Sequence, residues 1–298
     1  MSLNTGGDET ARGVAYGLAA YTIWGCFPLF FSLLDGIPAW EILVHRVVWS
    51  CAFLLVLIIL LGRWRQIVDA LSRPAGLGKV LVCAVLIGAN WGIFIHAIET
   101  RQVFQSSLGY FLTPLVNVAL GMLVLKERMA RGQQWAVALA GVAIAAQLLW
   151  MGTMPWVALL LALTFGTYGL FRKQVRLEAL PGLFVETLLL LPFGLIAFAW
   201  LIGAGASSFP TGDSRTYILL LSGVVTALPL IAFGAATRRL RLATVGFLMY
   251  INPTMQFLTA WLVFRETLHG IQALSFVLIW VALGLYSWSS WKQRGMMN

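Results

Sequence analysis

Charge is scarce in this chain. Among 298 residues there are eleven Asp and Glu, twenty Lys and Arg and three His, so that 10% of the chain is charged, where a soluble domain carries about 25%. The few charges fall between apolar runs, and no polar stretch is long enough to house a soluble catalytic domain. Histidine is too sparse and scattered for a metal site: His45, His96 and His269 show no ligand spacing, and no cofactor is implied. No Ser, His and acid arrangement suits hydrolysis. Cys26, Cys51 and Cys83 all fall inside apolar runs and read as small core residues, not as a disulfide framework. Period-two alternation is also missing, which excludes a membrane β-barrel.

Hydrophobicity is what the chain has in abundance: 60% of its residues are apolar, thirteen are Trp, and the mean hydropathy is +0.87. A helix needs about 20 apolar residues to cross a bilayer. Ten stretches meet that length: 13–34, 38–61, 79–99, 103–125, 132–151, 154–172, 182–203, 216–236, 242–264 and 270–290. The expected fold is therefore an all-α polytopic membrane protein of ten transmembrane helices, with tails at 1–12 and 291–298. Asp8, Glu9 and Arg12 precede a first stretch already of spanning length, so it reads as a permanent helix and not a cleaved signal. In the connection 63–73, Trp64, Ile67, Val68 and Leu71 recur at helical spacing, which predicts a short interfacial helix.

The basic residues sort by side. Arg12, Arg63, Arg65, Arg73, Lys79, Lys126, Arg128, Arg131, Arg172, Lys173, Arg176, Arg238, Arg239, Arg241, Lys292 and Arg294 fall on one side of the ten stretches, while Arg101, Arg215 and Arg265 fall on the other. Basic loops stay in the cytoplasm, so both termini are expected there, in a bacterial inner membrane. The formal net charge of +9 then reflects topology and attraction to anionic lipid, not a nucleic-acid surface.

The chain also repeats itself. Pro114 is followed thirteen positions later by Glu127 in Leu-Lys-Glu-Arg, and Pro253 thirteen positions later by Glu266 in Phe-Arg-Glu-Thr. Thr100-Arg101 and Leu108-Gly109-Tyr110 match Thr237-Arg238 and Val245-Gly246-Phe247, and Trp24-Gly25 resembles Tyr168-Gly169. This predicts two five-helix repeats, 13–151 and 154–290. Because five is odd, the second copy enters the membrane from the opposite face. Inverted repeats can exchange conformations and open a central site to each side in turn, which points to a transporter.

Four runs carry a family resemblance: Ala-Ala-Tyr-Thr-Ile-Trp-Gly at 19–25, Glu-Ile-Leu-Val-His-Arg-Val-Val-Trp-Ser at 41–50, Ile-Gly-Ala-Asn-Trp at 87–91, and Ser-Leu-Gly-Tyr-Phe-Leu-Thr-Pro-Leu-Val-Asn at 107–117. With them the chain resembles the drug/metabolite transporter superfamily in its EamA branch, and more narrowly the RarD proteins. The resemblance implies ten helices with both ends inside. It also implies a central cavity lined mainly by helices 1, 3, 4, 6, 8 and 9, and movement of a small metabolite, or a drug such as chloramphenicol, across the inner membrane.

Polar residues inside the spans are the candidate site. Tyr21, Trp24, Asn90, Trp91, Tyr110, Thr113, Asn117, Tyr168, Tyr250, Asn252 and Gln256 fall near mid-depth on the expected cavity helices, as aromatic walls with a few hydrogen-bonding groups. Each also suits plain helix-to-helix packing. Arg46 lies about 12 Å along its helix from the outer end and reads either as a binding or gating charge or as an arginine held by neighbouring carbonyls. Glu186 lies about 6 Å from the cytoplasmic end of its helix, too far from Arg46 to pair with it. Glu41 and His45, four apart, are placed for a charge-assisted pair near the outer interface. His45 and His96 make a proton gradient a candidate partner, with lipid and a small-molecule substrate as the others. Without Lys or Arg inside helices 8, 9 and 10, the cargo reads as neutral, zwitterionic or amphipathic and not phosphorylated. A membrane-embedded sensor or enzyme is the alternative; it would need an output domain or a convergent acid, base or metal constellation.

Overall fold

A computed structural model describes residues 5–72, 74–100, 102–152, 154–263, 265 and 270–295. Every regular element among them is helical. The helices are α1 (Thr5–Gly25), α2 (Phe27–Ser32), α3 (Ala39–Leu60), α4 (Trp64–Ser72), α5 (Pro74–Glu99), α6 (Val103–Leu123), α7 (Arg131–Met151), α8 (Trp156–Gln174), α9 (Ala179–Gly203), α10 (Arg215–Arg239), α11 (Leu242–Met249), α12 (Ile251–Leu262) and α13 (Gly270–Gly295). Among the described residues, seven segments are long and apolar enough to cross a membrane: Asp8–Ser32, Ala39–Leu60, Leu77–Ala97, Arg131–Trp150, Ala179–Gly203, Arg215–Arg239 and Ala273–Lys292. The chain is a multi-pass membrane protein.

Two of the ten apolar stretches are broken, each beside a proline. The first divides at Cys26 because Pro28, at the start of α2, brings no backbone N–H to a continuing helix. The ninth divides at Tyr250, whose N–H turns to Phe247 O at 3.2 Å, with Pro253 in the first turn of α12. Pro114 is tolerated inside a continuous α6. Helix α4 fills the expected interfacial position, with Ile67 buried and Trp64, Val68 and Leu71 exposed.

Packing is by close approach of small residues, the usual means in lipid, where apolar surface gains little from turning inward. A Cβ on Gly223 of α10 would collide with the backbone of Trp49 in α3, and Ser50 Oγ donates to Gly223 O at 3.1 Å across the same contact. One apolar cluster joins α1, α3, α5, α8, α9, α10 and α11, and a second joins α6, α7, α11 and α13. Outward surfaces carry Leu149, Phe193, Ile196, Trp135 and Trp156, all well over half exposed. Large apolar side chains exposed in this way suit hydrocarbon rather than water.

The basic loops gather at one end of the bundle. There Arg239 meets Glu9 at 3.0 Å, Arg63 meets Glu178 at 3.1 Å, Lys79 donates to Gln174 Oε1 at 3.1 Å, and Gln133 donates to Ser290 Oγ at 3.0 Å. At the opposite end Arg215 reaches Asp213 at 2.9 Å and Asp35 O at 3.2 Å. Hydrogen bonds from Thr211 and Arg215 hold the exposed Asp213 carboxyl below its ordinary range. Arg73, Arg101, Glu266 and His269 lie outside the described residues.

Candidate functional site

Arg46 of α3 faces the protein interior with 7% of its surface exposed. Its Nε donates to Thr226 Oγ1 of α10 at 2.9 Å. Its Cζ lies 5.7 Å from the ring centroids of both Phe27 and Phe31 on α2 and 5.3 Å from Trp91 on α5. Three ring faces can stabilise a desolvated guanidinium through their quadrupoles, at about 2 kcal/mol or more for a favourable contact away from water. Rings accept no fork of hydrogen bonds, and Nη1 and Nη2 find no acceptor among the described residues.

Next to Arg46 in the same cluster is a group of packed rings. Trp24 lies 5.7 Å from Tyr21, 5.6 Å from Phe165 and 5.9 Å from Phe233, and Tyr168 stacks on Phe233 at 5.8 Å and 15°. Tyr110 packs against the cluster from α6, beside Phe94. Tyr21, Trp24, Trp91, Tyr110 and Tyr168 are thus brought together from α1, α5, α6 and α8. Tyr21 also has a structural task, donating its hydroxyl to Val245 O in α11 at 3.1 Å.

Beyond Tyr168, towards the basic end, sits a buried ion pair that sequence reasoning missed. Tyr168 donates to Glu186 Oε2 at 3.0 Å, and Arg172 Nε lies 3.7 Å from Glu186 Oε1. Arg172 Nη2 donates to Glu178 O and Ala179 O, both at 2.9 Å. The guanidinium fits because residue 182 is glycine: a Cβ there would lie 2.5 Å from Arg172 Nη1. The sequence counts Arg172 with the loop charges, and the only signal of its burial is Gly182 ten positions on, four residues before Glu186.

Several other polar candidates turn to their own neighbours, while Asn117 and the Tyr250 hydroxyl meet no hydrogen-bond partner among the described residues. Glu41 and His45, placed by spacing for a mutual pair, form none: Glu41 Oε1 accepts from Ser207 Oγ at 3.0 Å and Ser208 N at 2.6 Å, while His45 Nδ1 accepts from Trp49 Nε1 at 2.8 Å. The loop after α9 supplies two donors to the carboxylate, and the indole one turn along the helix supplies one to the imidazole. His96 is exposed near the end of α5. Asn90 links α5 to α8 by donating to Leu161 O at 3.0 Å and Thr164 Oγ1 at 2.9 Å. Thr113 donates to Gly109 O within its own helix, and Gln256 donates to Asn252 Oδ1. Asn117 is buried beside Gly166, Gly169 and Gly246, and Tyr250 is buried in the second cluster.

The basic end is latched. Glu127, after α6, accepts from the Leu242 and Ala243 N–H groups at 2.8 and 3.1 Å, so its charge caps the start of α11. Lys173 donates to Thr237 O and Leu240 O, and Arg241 donates to Arg128 O.

Residues 11–149 match the model of the EamA-like transporter family. The chain is 43% identical over 281 residues to an uncharacterized transporter of Vibrio cholerae, covering 94% of this chain and 93% of that one. It is 43% identical over 284 residues to protein RarD of Salmonella typhimurium, covering 93% and 95%. A solved crystal structure shares the fold with a TM-score of 0.70 at 15% identity, over 92% of this chain and 96% of that one.

Proposed function

The chain belongs to the EamA-like transporter family, and on that premise we propose that it is a secondary carrier for a small organic molecule, not an enzyme or sensor. It would span the bacterial inner membrane ten times, keep both termini in the cytoplasm, and work by alternating access between two inverted halves. The observation that carries this reading is Arg46: a charge deep in the bundle, held by Thr226 of the opposite half and ringed by aromatics, with no acidic partner among the described residues. Hydrocarbon would make such a position costly unless it served a site.

The halves support the reading independently. Lys126 and Arg265 lie 139 positions apart, as do Pro114 and Pro253. Both basic residues adopt positive φ, 54° and 53°, which is uncommon away from glycine. Packing follows the same exchange: α1 lies on α10 as α5 lies on α8, α6 on α8 as α1 on α11 and α12, while α3 meets α9 and α7 meets α13. In the proposed cavity, Arg46, Trp91 and Tyr110 lie nearer the periplasm. Trp24 forms its floor, with Tyr21 and Tyr168 packed beneath it, and the Glu127 and Lys173 contacts close the cytoplasmic side.

The test is flux in proteoliposomes across a panel of amino acids and drugs, with and without an imposed pH gradient. Saturable movement of at least one solute is expected. Movement indistinguishable from protein-free vesicles for the whole panel would remove the carrier reading.

A further inference from the structure

Arg46 leaves one kind of contact open, and that contact has a chemistry. The guanidinium has five N–H donors in a planar fork. Thr226 takes the Nε–H, and the Phe27, Phe31 and Trp91 ring faces stand around Cζ without offering an acceptor. The four remaining N–H groups have no acceptor among the described residues, although the side chain is more than nine-tenths buried. A charged donor in a largely buried setting gains from an acceptor, and the four open N–H groups can take one supplied from elsewhere. Those nitrogens keep some accessible surface, unlike Arg172 Nη1.

We propose that Arg46 receives the carboxylate of a monoanionic substrate whose apolar body lies against the Phe27, Phe31 and Trp91 rings. A carboxylate presents two coplanar oxygens that match the fork bidentately, which a neutral amide or hydroxyl does not. One positive charge balances one negative charge; a doubly charged phosphate ester would leave an uncompensated anion in a low-dielectric site. A substrate ammonium finds no carboxylate at the guanidinium: among the described residues no acid pairs with Arg46, Glu186 is held by Tyr168 and Arg172, and Glu41, held through Oε1 by the 207–208 loop, leaves only Oε2 open. The cargo class is thereby narrowed from neutral, zwitterionic or amphipathic to amphipathic organic monocarboxylates.

This rests on the carrier reading but fails separately from it. The experiment measures equilibrium binding of 3-phenylpropanoate and of its amide, 3-phenylpropanamide, to the purified full-length protein, the parent beside Arg46→Gln and Arg46→Lys. The parent should bind the carboxylate at least about tenfold more tightly than the amide, as loss of a charge-assisted bidentate pair implies. Arg46→Gln should erase that preference, and Arg46→Lys, which keeps the charge without the fork, should retain part of it. A parent that binds both alike, prefers the amide, or binds neither overturns the proposal, and this comparison needs no variant to fold. A preference that survives in folded Arg46→Gln overturns it as well. Saturable flux of neutral solutes alone would leave the carrier standing with a different cargo; absence of all flux would remove both.

Discussion

Arg172 Nε and Glu186 Oε1 stand 3.7 Å apart with neither side chain more than 1% exposed. The pair is therefore Coulombic without a direct hydrogen bond between these atoms, and each partner is held by something else: Glu186 by Tyr168, Arg172 by two carbonyls.

Removing one partner should cost more than removing both. Arg172→Leu strips the carboxylate of its counter-charge and is expected to destabilise the protein by about 3–5 kcal/mol, while the double replacement Arg172→Leu, Glu186→Leu should recover much of that. Thermal unfolding in detergent, followed by the monodisperse fraction, measures both. A single Arg172→Leu variant as stable as the parent would show that the pair does not hold α8 against α9.

Glu127 is expected to keep the basic end closed. Glu127→Ala frees two N–H groups at the start of α11 and should cost about 0.5–2 kcal/mol, the range for loss of a helix cap. In a background without Cys26, Cys51 and Cys83, a cysteine at Ala232 should be labelled several-fold faster from the basic end once Glu127 is replaced. Unchanged labelling would mean that Glu127 braces the loop and controls no opening.

The contact at Gly223 predicts a graded response. Gly223→Ala places a methyl group against the Trp49 backbone, which cannot rotate away, so α3 and α10 must separate. Lower yield of folded protein is expected for Gly223→Ala and near-complete loss for Gly223→Leu. Gly203, where a Cβ would meet nothing within 4 Å, is the matched control and should accept alanine.

How far the sequence could be read depends on the length scale of each signal. Helical stretches are legible because twenty apolar residues in a row leave few alternatives, and the burial of Arg46 is legible because a charge in a span has few other places to go. Breaks were half legible: Pro28, Pro114 and Pro253 are visible, but which one interrupts its helix depends on neighbours. Glu41 and His45 show the limit of spacing arguments, since a shared face permits a pair while Ser207, Ser208 and Trp49 supply better-placed donors. Arg172 was hidden because a residue at a helix end looks like loop until Gly182, on the next helix, is seen to make room for it.

Orientation is open to direct mapping. Single cysteines at Asp213 and at Arg176 should differ in reactivity towards a membrane-impermeant reagent added outside intact cells, with Asp213 labelled and Arg176 protected. Equal labelling would contradict the assignment of the basic end to the cytoplasm.

Solute counterflow tests the carrier mechanism itself most directly. Proteoliposomes preloaded with an unlabelled solute that the protein moves are diluted into a trace of the same solute, labelled. Alternating access predicts transient accumulation of label above its equilibrium level, with Arg46→Leu protein of equal folded yield losing the overshoot. Label that rises only to equilibrium in the parent, without overshoot, would contradict the account.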